Sequence, residues 1–356
     1  MRVFTTRPLK TSSPMNTTPL FGMTLAELQQ VAAENGLPKF AAKQIADWLY
    51  KKKVESIDQM TNLSKKARET LTEKYCVGLA APVKETVSVD GTKKYLFSTA
   101  NSKSVEAAYI PDRDRATLCV SCQAGCKMGC KFCNTGLQGF GGNLTTNEIL
   151  NQIKSLPEFD TLTNIVFMGM GEPIDNLQNI LKAIEILTAD HGFAMSPHRM
   201  TLSTVGILPG LEEFLKKTDV HLAISVHNPF PNERAQIMPI ENAQPLMKTL
   251  QLVKRYDFSH QRRFSAEYTM VKGVNDSPRH ARQLVNILRG IPARVNIIRY
   301  HAHPGSDFEP SPEIRVREFQ EILTSAGIIA TVRASRGEDI YAACGLLSTK
   351  AAKSDI

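Results

Sequence analysis

The N-terminal part of the chain carries the apolar and polar pattern of amphipathic helices. Thr24 and Glu27 have the spacing of a capping box, and apolar residues then recur every three or four positions until Gly36. A second apolar face follows Pro38 and consists of Ala41, Ile45, Trp48 and Leu49. This spacing predicts a helical region over residues 24–76.

The pattern changes to that of β-structure before residue 100. The segment VSVDGTKKYLF places strand-like runs on either side of Asp90 and Gly91, a pair that is typical of tight hairpin turns. The segment SVEAAYI predicts a third strand soon afterwards. We therefore predict a small N-terminal accessory domain over residues 1–100, made of helices and then a β-hairpin.

Downstream of this boundary, short apolar runs alternate with longer segments. The strand-like runs are TLCVS, NIVFM, HRMTLST, VHLAISV, RFSAEYTMV, RVNIIRY and IIATVRA. The intervening segments, such as 144–155, 176–188 and 314–326, are long enough for helices. Such alternation is typical of a parallel sheet covered by helices. It predicts an α/β fold over residues 101–347, namely a complete or partly open parallel β/α (TIM-like) barrel, and a flexible tail over 348–356.

Composition narrows the class of protein. The chain has 356 residues, and 42% of them are hydrophobic, which is enough for a large buried core. No apolar run approaches the roughly 18 residues of a membrane span, and the polar start lacks the apolar core of a signal peptide. We therefore expect a cytoplasmic protein without a membrane segment. In a reducing compartment, clustered cysteines indicate metal or redox chemistry.

The net charge of +8 adds a weaker indication. Such an excess attracts polyanions, although many proteins carry it only as a solvated surface. Basic residues are dense in the predicted N-terminal helices, at Lys39, Lys43, Lys51, Lys52, Lys53, Lys65, Lys66 and Arg68. They either form the wet faces of amphipathic helices or bind nucleic acid.

Five of the seven cysteines lie within the segment LCVSCQAGCKMGCKFCNTG. Cys126, Cys130 and Cys133 have C-x3-C-x2-C spacing and follow the first predicted barrel strand, where barrels place their chemistry. A closed zinc site with Cys122 as fourth ligand is one interpretation. A four-iron cluster is the other, because three thiolates leave one iron open for a reaction. The spacing favours the cluster without excluding zinc.

Further candidate residues follow the other predicted strands. The segment FMGMGEP contains Gly171, which lets the backbone approach a ligand, and Glu172, which complements a cation. The remaining strand ends carry Ser203, Ser225, Val226, His227 and His301. Each is weak evidence alone, because a strand-end serine usually caps a helix and a single histidine is usually structural. Together with the cysteine loop, they predict one pocket at the carboxyl ends of the strands.

The C-x3-C-x2-C motif, with Phe132 between its last two cysteines, resembles the signature of the radical S-adenosylmethionine (SAM) superfamily. The resemblance implies a radical SAM barrel in which Cys126, Cys130 and Cys133 hold a [4Fe-4S] cluster. The open iron takes the amino and carboxylate groups of SAM in this family, and one electron breaks the sulfonium to give a 5′-deoxyadenosyl radical.

The same resemblance implies that the strand ends bind SAM. Gly171 and Glu172 match the family's contact with the methionyl ammonium group. The other implied contacts are Ser203, Ser225, Val226, His227 and His301. The family often has asparagine at the last of these positions, so the contact made by His301 stays open.

A closer resemblance covers nearly the whole chain, from about Leu20 to Leu347. The segments RATLCVSCQAGC, GMGEP, LSTVG, AISVH, GVNDS and RGEDIYAACG occur in the same order in the RlmN/Cfr family of RNA methyltransferases. The resemblance implies methylation of adenosine at C2, in 23S rRNA (adenosine 2503) and in tRNA (adenosine 37), with two SAM molecules per methyl group.

This resemblance also assigns residue roles. Cys344 matches the cysteine that takes a methyl group from SAM and carries it as S-methylcysteine. Cys119 matches the cysteine that releases the methylated base, and Glu106 matches the proton acceptor. A disulfide bond and an electron donor such as flavodoxin or ferredoxin are implied as well. Cys76 and Cys122 receive no role, and we interpret them as structural.

Two other functions remain open from the sequence. A Cfr-like enzyme methylates C8 of adenosine in 23S rRNA, although the segments LPKFAAKQIADWLY and MTNLSKKAR favour the C2 group. A zinc-bearing RNA-binding protein without catalysis is the second alternative. It predicts a colourless protein, whereas the enzyme should be brown and oxygen-sensitive. In every case RNA is the expected partner, and we expect a monomer.

Overall fold

The structure is a computed structural model that describes residues 17–258 and 262–348. Of the predicted flexible tail, residues 349–356 lie outside this part of the chain. The helices are α1 (Leu25–Glu34), α2 (Ala41–Ala46), α3 (Lys65–Lys74), α4 (Asn134–Leu137), α5 (Thr146–Lys154), α6 (Leu177–Thr188), α7 (Leu208–Lys217), α8 (Pro231–Ile237), α9 (Leu246–Val253), α10 (Pro278–Leu288) and α11 (Glu313–Ser325). The strands are β1 (Thr18–Pro19), β2 (Tyr75–Cys76), β3 (Lys84–Val87), β4 (Lys93–Ser98), β5 (Ser104–Asp112), β6 (Arg115–Cys119), β7 (Gln123–Gly125), β8 (Phe140–Asn143), β9 (Asn164–Phe167), β10 (Met200–Thr204), β11 (His221–Ser225), β12 (Phe264–Met270), β13 (Ala293–Arg299) and β14 (Ile329–Val332).

The N-terminal helices form where their sequence pattern predicts them. The Thr24 hydroxyl accepts a hydrogen bond from the Glu27 amide at 3.3 Å, and the Glu27 carboxylate accepts one from the Thr24 amide at 2.7 Å. This capping box confirms the predicted start of α1. The second predicted helix consists of α2 and a π-helical turn over Asp47–Lys51.

The central sheet contains the parallel core of the fold. Within the described residues its order is β14-β13-β12-β11-β10-β9-β6-β5-β4-β3, and every neighbouring pair from β6 to β14 is parallel. The seven strand-like runs of the sequence correspond to these seven parallel strands. Helices α5 to α11 lie in the connections between them, as parallel strands require. The predicted α/β class is therefore confirmed.

Three antiparallel strands extend the same sheet. β3, β4 and β5 pair in sequence order, and β5 pairs with β6 so that Ala108 lies opposite Cys119. The hairpin that the sequence assigns to the accessory domain is thus hydrogen-bonded to strands beyond residue 100. The sequence pattern did not indicate this continuity, because the turn from β5 to β6 uses Arg113 at φ 50° instead of a glycine.

The barrel is partly open, as predicted. β14 and β6 are not neighbours in the sheet order. Beyond β14 the chain returns to β5, where Arg336 contacts Asp112 at 3.3 Å. A cavity of about 510 Å³ lies there. It is lined by residues of β6, β9 and β13 and of the C-terminal segment, defined here as residues 333–348. No helix in the described ranges is long and apolar enough to cross a membrane.

Candidate active site

The cysteine loop, defined here as residues 126–133, joins β7 to α4. The Cys126 amide donates to the Gly139 carbonyl at 2.9 Å, and the Asn134 amide donates to the Gly345 carbonyl at 2.8 Å. The loop cysteines, 126, 130 and 133, are half-buried. They pack with an apolar cluster that consists of Met128, Phe132, Val205, Ile237, Met238, Val271 and Tyr300. The loop therefore holds three thiols against one apolar wall.

Burial makes these three thiols difficult to ionise. It raises the pKa of Cys126 to about 12 and also raises the pKa of Cys130 and Cys133. The Cys133 thiol adds to the shift at Cys126 and Cys130, because like charges close together are unfavourable. Thiolates in such a place are stabilised by a metal group.

The arrangement of the thiols bears on which metal group they suit. A zinc ion needs all its sulfur ligands about 2.3 Å from one centre, whereas thiolates of a four-iron cluster bind separate irons. Cys122 does not join the loop, because its thiol lies in the main core and donates to the Met170 carbonyl at 3.5 Å. The donor set therefore fits a cluster with three cysteine ligands better than a closed zinc site.

Glu172 lies after β9 and is anchored to the next strand of the sheet. Its carboxylate accepts hydrogen bonds from the Thr204 hydroxyl at 2.5 Å and from the Val205 amide at 2.9 Å. Burial, the largest influence, raises the pKa of Glu172 to about 7 despite these donors. Gly171 precedes it at φ 99°, and a Cβ added there would lie 2.5 Å from the Gln123 side chain. The turn therefore requires glycine and holds a buried carboxylate at the strand ends.

Ser203, Ser225 and Val226 also lie at these strand ends. The two serines are half-buried on β10 and β11, and Val226 is fully buried directly after β11. The buried Arg234 donates to the Ser225 carbonyl at 2.8 Å and to the Val226 carbonyl at 2.9 Å, and it pairs with the Glu241 carboxylate. Arg234 therefore fixes the backbone that leaves β11.

His227 connects the end of β11 to the cysteine loop. Its Nδ1 accepts a hydrogen bond from the Thr269 amide at 2.9 Å, and its ring centroid lies 4.7 Å from that of Phe132. Burial lowers the pKa of His227 to about 3, so the ring is neutral at physiological pH. The segment AISVH and the C-x3-C-x2-C motif, which are far apart in the chain, are thus in contact.

His301 lies after β13 and lines the cavity together with Cys133. Its Nδ1 is 3.2 Å from the carboxylate of Glu338, which belongs to the C-terminal segment. The predicted strand-end residue is therefore in the same cavity as the cysteine loop, and its contact in this structure is with the protein's own chain.

Cys119 and Cys344 come together although they are far apart in the sequence. Cys119 is buried at the end of β6, and Cys344, in the C-terminal segment, is exposed as a residue although protein atoms surround its thiol. Both line the cavity that Cys133 also reaches. Burial raises the pKa of Cys119 to about 12, and the neighbouring Cys344 thiol adds to this shift. The cavity therefore joins the two cysteines to the cysteine loop.

Arg333, which the sequence analysis missed, lies beside both of these thiols. It lines the cavity directly after β14, and its charge lowers the pKa of Cys344, although burial has the larger effect and raises it. The Glu267 carboxylate lies 3.6 Å from the Arg333 guanidinium and accepts a hydrogen bond from Asn296 at 2.7 Å. The sequence signal for this pair was Glu267, the single acidic residue of the apolar strand FSAEYTM, because a buried charge needs a partner.

Glu106 is a buried residue of β5. Its carboxylate pairs with Lys94 at 3.0 Å and accepts a hydrogen bond from the Ser348 amide at 2.9 Å. Because Ala108 lies opposite Cys119 and strand residues alternate between faces, Glu106 shares the face of the sheet that carries Cys119. Burial raises the pKa of Glu106, and Lys94 opposes this shift. Glu106 therefore links β5 to the segment that carries Cys344.

All seven cysteines carry free thiols in this structure, so the disulfide bond that the resemblance implies is not formed here. Cys76 is half-buried in β2, and Cys122 is buried in the main core. Neither lines the cavity. Of the five others, Cys119, Cys133 and Cys344 line the cavity, and Cys126 and Cys130 lie on the same loop as Cys133.

Known proteins resemble this chain in both its barrel and its N-terminal region. A family model described as the radical SAM superfamily matches residues 120–285, and one described as the ribosomal RNA large subunit methyltransferase N-terminal domain matches residues 18–77. The probable dual-specificity RNA methyltransferase RlmN of Bacteroides fragilis is 58% identical over 331 residues, which cover 93% of this chain and 96% of that protein. The dual-specificity RNA methyltransferase RlmN of Marinobacter nauticus is 40% identical over 338 residues, which cover 92% of each chain.

A solved structure extends the likeness to the whole fold. The crystal structure of a radical SAM methyltransferase from Sphaerobacter thermophilus has a TM-score of 0.88 and 37% sequence identity, covering 94% of this chain and 100% of that chain. Enzymes of this superfamily use a [4Fe-4S] cluster and SAM. From the site geometry and these similarities together, the chain belongs to the RlmN family of dual-specificity RNA methyltransferases, within the radical SAM superfamily.

Proposed function

We propose that this enzyme methylates C2 of adenosine 2503 in 23S rRNA and of adenosine 37 in tRNA, and that the methyl group passes through Cys344. One observation carries the proposal. Cys344 and Cys119 line a single cavity with Cys133 of the cysteine loop, so a sulfur that stores a methyl group is adjacent to the centre that would activate it. A methyltransferase with direct transfer from SAM would not need this sulfur pair.

We assign Cys126, Cys130 and Cys133 as the ligands of the [4Fe-4S] cluster. When bound, the cluster and SAM supply a 5′-deoxyadenosyl radical. The apolar cluster around the loop supports the assignment, because it excludes water from a reactive centre. Phe132, on the motif itself, packs on His227 and thereby joins the loop to the SAM-binding strand ends.

The residues at the strand ends would hold SAM. Glu172 provides a buried carboxylate for the methionyl ammonium, and Gly171 allows the backbone to approach it. The further assigned contacts are Ser203, Ser225, Val226, His227 and His301. Of these, His301 would have to exchange its contact with Glu338 for one with SAM.

The sulfur pair would carry out the transfer and the release. Cys344, with Arg333 beside it, attacks the SAM methyl group as a thiolate and stores the methyl group on sulfur. The radical takes a hydrogen atom from the S-methyl group, and the methylene carbon joins C2. The adduct would then lose one electron, which a bound cluster would accept, and Glu106 accepts the C2 proton as general base, for which its raised pKa suits it. Attack of the Cys119 thiolate on the Cys344 sulfur then forms a disulfide bond and breaks the bond between that sulfur and the methylene carbon. The carbon takes up a proton, and the methylated base leaves.

The other predicted features concern the partners. We propose that residues 1–100 bind RNA through the lysines of the N-terminal helices, which are exposed. The target base must leave its stack to reach the cavity, so an unpaired or loosely stacked adenosine is the expected substrate. We further propose that the enzyme acts in the cytoplasm as a monomer, with a flavodoxin or ferredoxin as electron donor.

The test of this function is mass spectrometry of nucleosides from RNA treated with the reconstituted protein, SAM and a chemical reductant. The proposal predicts 2-methyladenosine in fragments of both 23S rRNA and tRNA. Formation of 8-methyladenosine would assign the enzyme to the Cfr-like group instead. Bound zinc, no iron and unmodified RNA would mean that the protein only binds RNA.

A further inference from the structure

The turn of the β3–β4 hairpin, residues 88–92, contacts the C-terminal segment through side chains that the proposed reaction does not use. The Asp90 carboxylate accepts a hydrogen bond from the Gly337 amide at 2.9 Å. In the reverse direction, the Asp339 carboxylate accepts one from the Ser88 hydroxyl at 2.5 Å. Each side of the contact therefore supplies one carboxylate to the other. We call these four residues the hairpin clamp.

The clamp uses more than the turn needs for its own shape. One Asp90 oxygen accepts a hydrogen bond from the Thr92 amide at 2.9 Å and closes the turn, which leaves the other oxygen for Gly337. Val89 is 96% exposed, but its amide donates to the Asp339 carboxylate at 3.2 Å. Partial burial opposes the ionisation of Asp90, yet the amides of Gly337 and Thr92 lower its pKa to about 2. The contact is therefore polar and charge-assisted.

The backbone of the C-terminal segment fits closely at the clamp. Gly337 has φ 63°, and a Cβ added there would lie 2.8 Å from Thr92 Cγ2 and 2.8 Å from Ala342 Cβ. Ile340 and Ala342, which follow the clamp, pack in one apolar cluster with Cys119. The clamp therefore holds the segment where its next residues lie against Cys119.

The other side of Cys344 has a separate anchor. The Asn134 amide donates to the Gly345 carbonyl at 2.8 Å, and the Thr135 hydroxyl donates to the Leu347 carbonyl at 2.8 Å. Both donors belong to α4, which begins directly after the cysteine loop. Since a segment that is fixed at one end keeps much of its conformational freedom, both anchors are needed to fix the sulfur between them.

We propose that Ser88, Asp90 and Asp339 are positioning residues for the methyl-carrying sulfur of Cys344. The inference rests on the proposed function, in which this sulfur must meet first SAM and then the adenine ring. The three side chains do not line the cavity, so they act through the backbone of residues 337–344 and not on the reacting groups. The hairpin of the N-terminal region thus contributes to the transfer step from outside the cavity.

The test separates the position of Cys344 from the rest of the enzyme. The variants are Asp339→Ala, at an exposed position, and Asp90→Ala. In each, we expect amide hydrogen exchange of residues 337–347 to become about tenfold faster, because a hydrogen bond to a charged group is lost. The reconstituted variants should form more 5′-deoxyadenosine for each methyladenosine, since the S-methyl group would often be out of reach. Iron content and the affinity for SAM should not change.

Three further variants serve as controls. Asp339→Asn keeps an oxygen for the Ser88 hydroxyl and should restore most of the product ratio, which a general loss of stability would not allow. The Ser88→Ala, Asp339→Ala double variant should exchange no faster than Asp339→Ala, because both changes remove the same hydrogen bond. Asp190→Asn, which removes an exposed carboxylate after α6, should match the wild type.

The possible results are distinguishable. Wild-type exchange and a wild-type product ratio in both alanine variants would overturn the proposal, and so would faster exchange throughout the chain with loss of iron. A wild-type enzyme that methylates RNA without methylating Cys344 would instead contradict the proposed function. In that case, the exchange of residues 337–347 would still decide whether the clamp holds the segment.

Discussion

The two groups of cysteines at this site differ in how the chain brings them together. Cys126, Cys130 and Cys133 lie on one short loop and pack against apolar side chains. Cys119 and Cys344 come from opposite ends of the barrel sequence and meet in a cavity beside Arg333. In the first group the thiols lie against an apolar wall, where the nearby Arg234 is paired with Glu241, and in the second group they lie beside the cation of Arg333.

This difference corresponds to two kinds of sulfur chemistry. An apolar wall suits thiolates whose charge is neutralised by a metal group. A guanidinium beside a thiol favours the free thiolate, which is the nucleophile that a methyl transfer from SAM requires. The comparison therefore predicts that a substitution in one group of cysteines leaves the reaction of the other group intact enough to be measured.

The largest expected effect is on the cysteine loop. Cys126→Ala, Cys130→Ala and Cys133→Ala should each abolish cluster binding and SAM cleavage, because each thiolate is an obligatory ligand. Iron analysis and the yield of 5′-deoxyadenosine measure the two losses. Cys122→Ala is the matched control and should keep its iron, since Cys122 lies in the main core. Equal iron loss in that control would mean that the ligand set is misassigned.

A smaller effect is expected at Glu172, which acts electrostatically on Cys126 and Cys130 of the cysteine loop. Its pKa of about 7 means that the carboxylate becomes protonated as the pH falls below neutral. The affinity for SAM should therefore decrease by about tenfold for each pH unit below 7, because only the ionised form attracts the methionyl ammonium. Glu172→Gln should weaken binding by roughly ten- to a hundredfold at pH 8 and should remove the pH dependence. Calorimetric titration with SAM checks both, and a pH-independent wild type would contradict this role.

The methylation of Cys344, which lies beside Arg333, should have a pH dependence of its own. Burial raises the pKa of Cys344 above its usual range while Arg333 lowers it, so methylation of Cys344 should accelerate as the pH rises. Arg333→Gln should slow this first methylation by about tenfold at pH 7, the effect of one pKa unit, and less at high pH. Mass spectrometry of the Cys344 peptide follows the reaction. Iron content should be unchanged, and a rate equal to that of the wild type would remove Arg333 from the account.

The smallest effect is expected far from both groups. Charge reversal of Lys51 and Lys52 should weaken RNA binding severalfold at low salt and little at high salt, because their contacts would be with phosphates. SAM cleavage should be unaffected. The Lys216→Glu, Lys217→Glu variant serves as the charge-matched control in the same RNA-binding titration. An equal loss of affinity in both variants would assign the effect to net charge instead of to the N-terminal helices.

How much of this could be predicted from the sequence depends on whether the signal is local. The seven parallel strands and the start of α1 follow from short patterns, and the structure confirms them. The pairing of β5 with β6 escaped prediction, because its turn uses Arg113 where a glycine would have marked it. It is this pairing that sets Ala108 opposite Cys119 and so puts Glu106 on the same face of the sheet.

The residues of the candidate site could likewise be predicted only where the sequence signal is local. The spacing of the cysteine loop is a local motif, and it was found at once. Arg333 and Glu267 carry no motif, because their importance arises only when β12, β14 and the C-terminal segment meet at the cavity. A charged residue inside an apolar strand was a usable signal for Glu267, whereas nothing local distinguishes Arg333 from other basic residues.

The central claim is that the methyl group passes through Cys344 and that Cys119 releases the product. A Cys119→Ala variant keeps the methyl-bearing sulfur and the cysteine loop, so the base should be joined to the protein and not released. Purified from cells under denaturing conditions and treated with nuclease, it should carry a short RNA adduct on the peptide that contains Cys344. The wild type should carry little, and Cys344→Ala should carry none. Normal turnover by Cys119→Ala, free of bound RNA, would contradict the account.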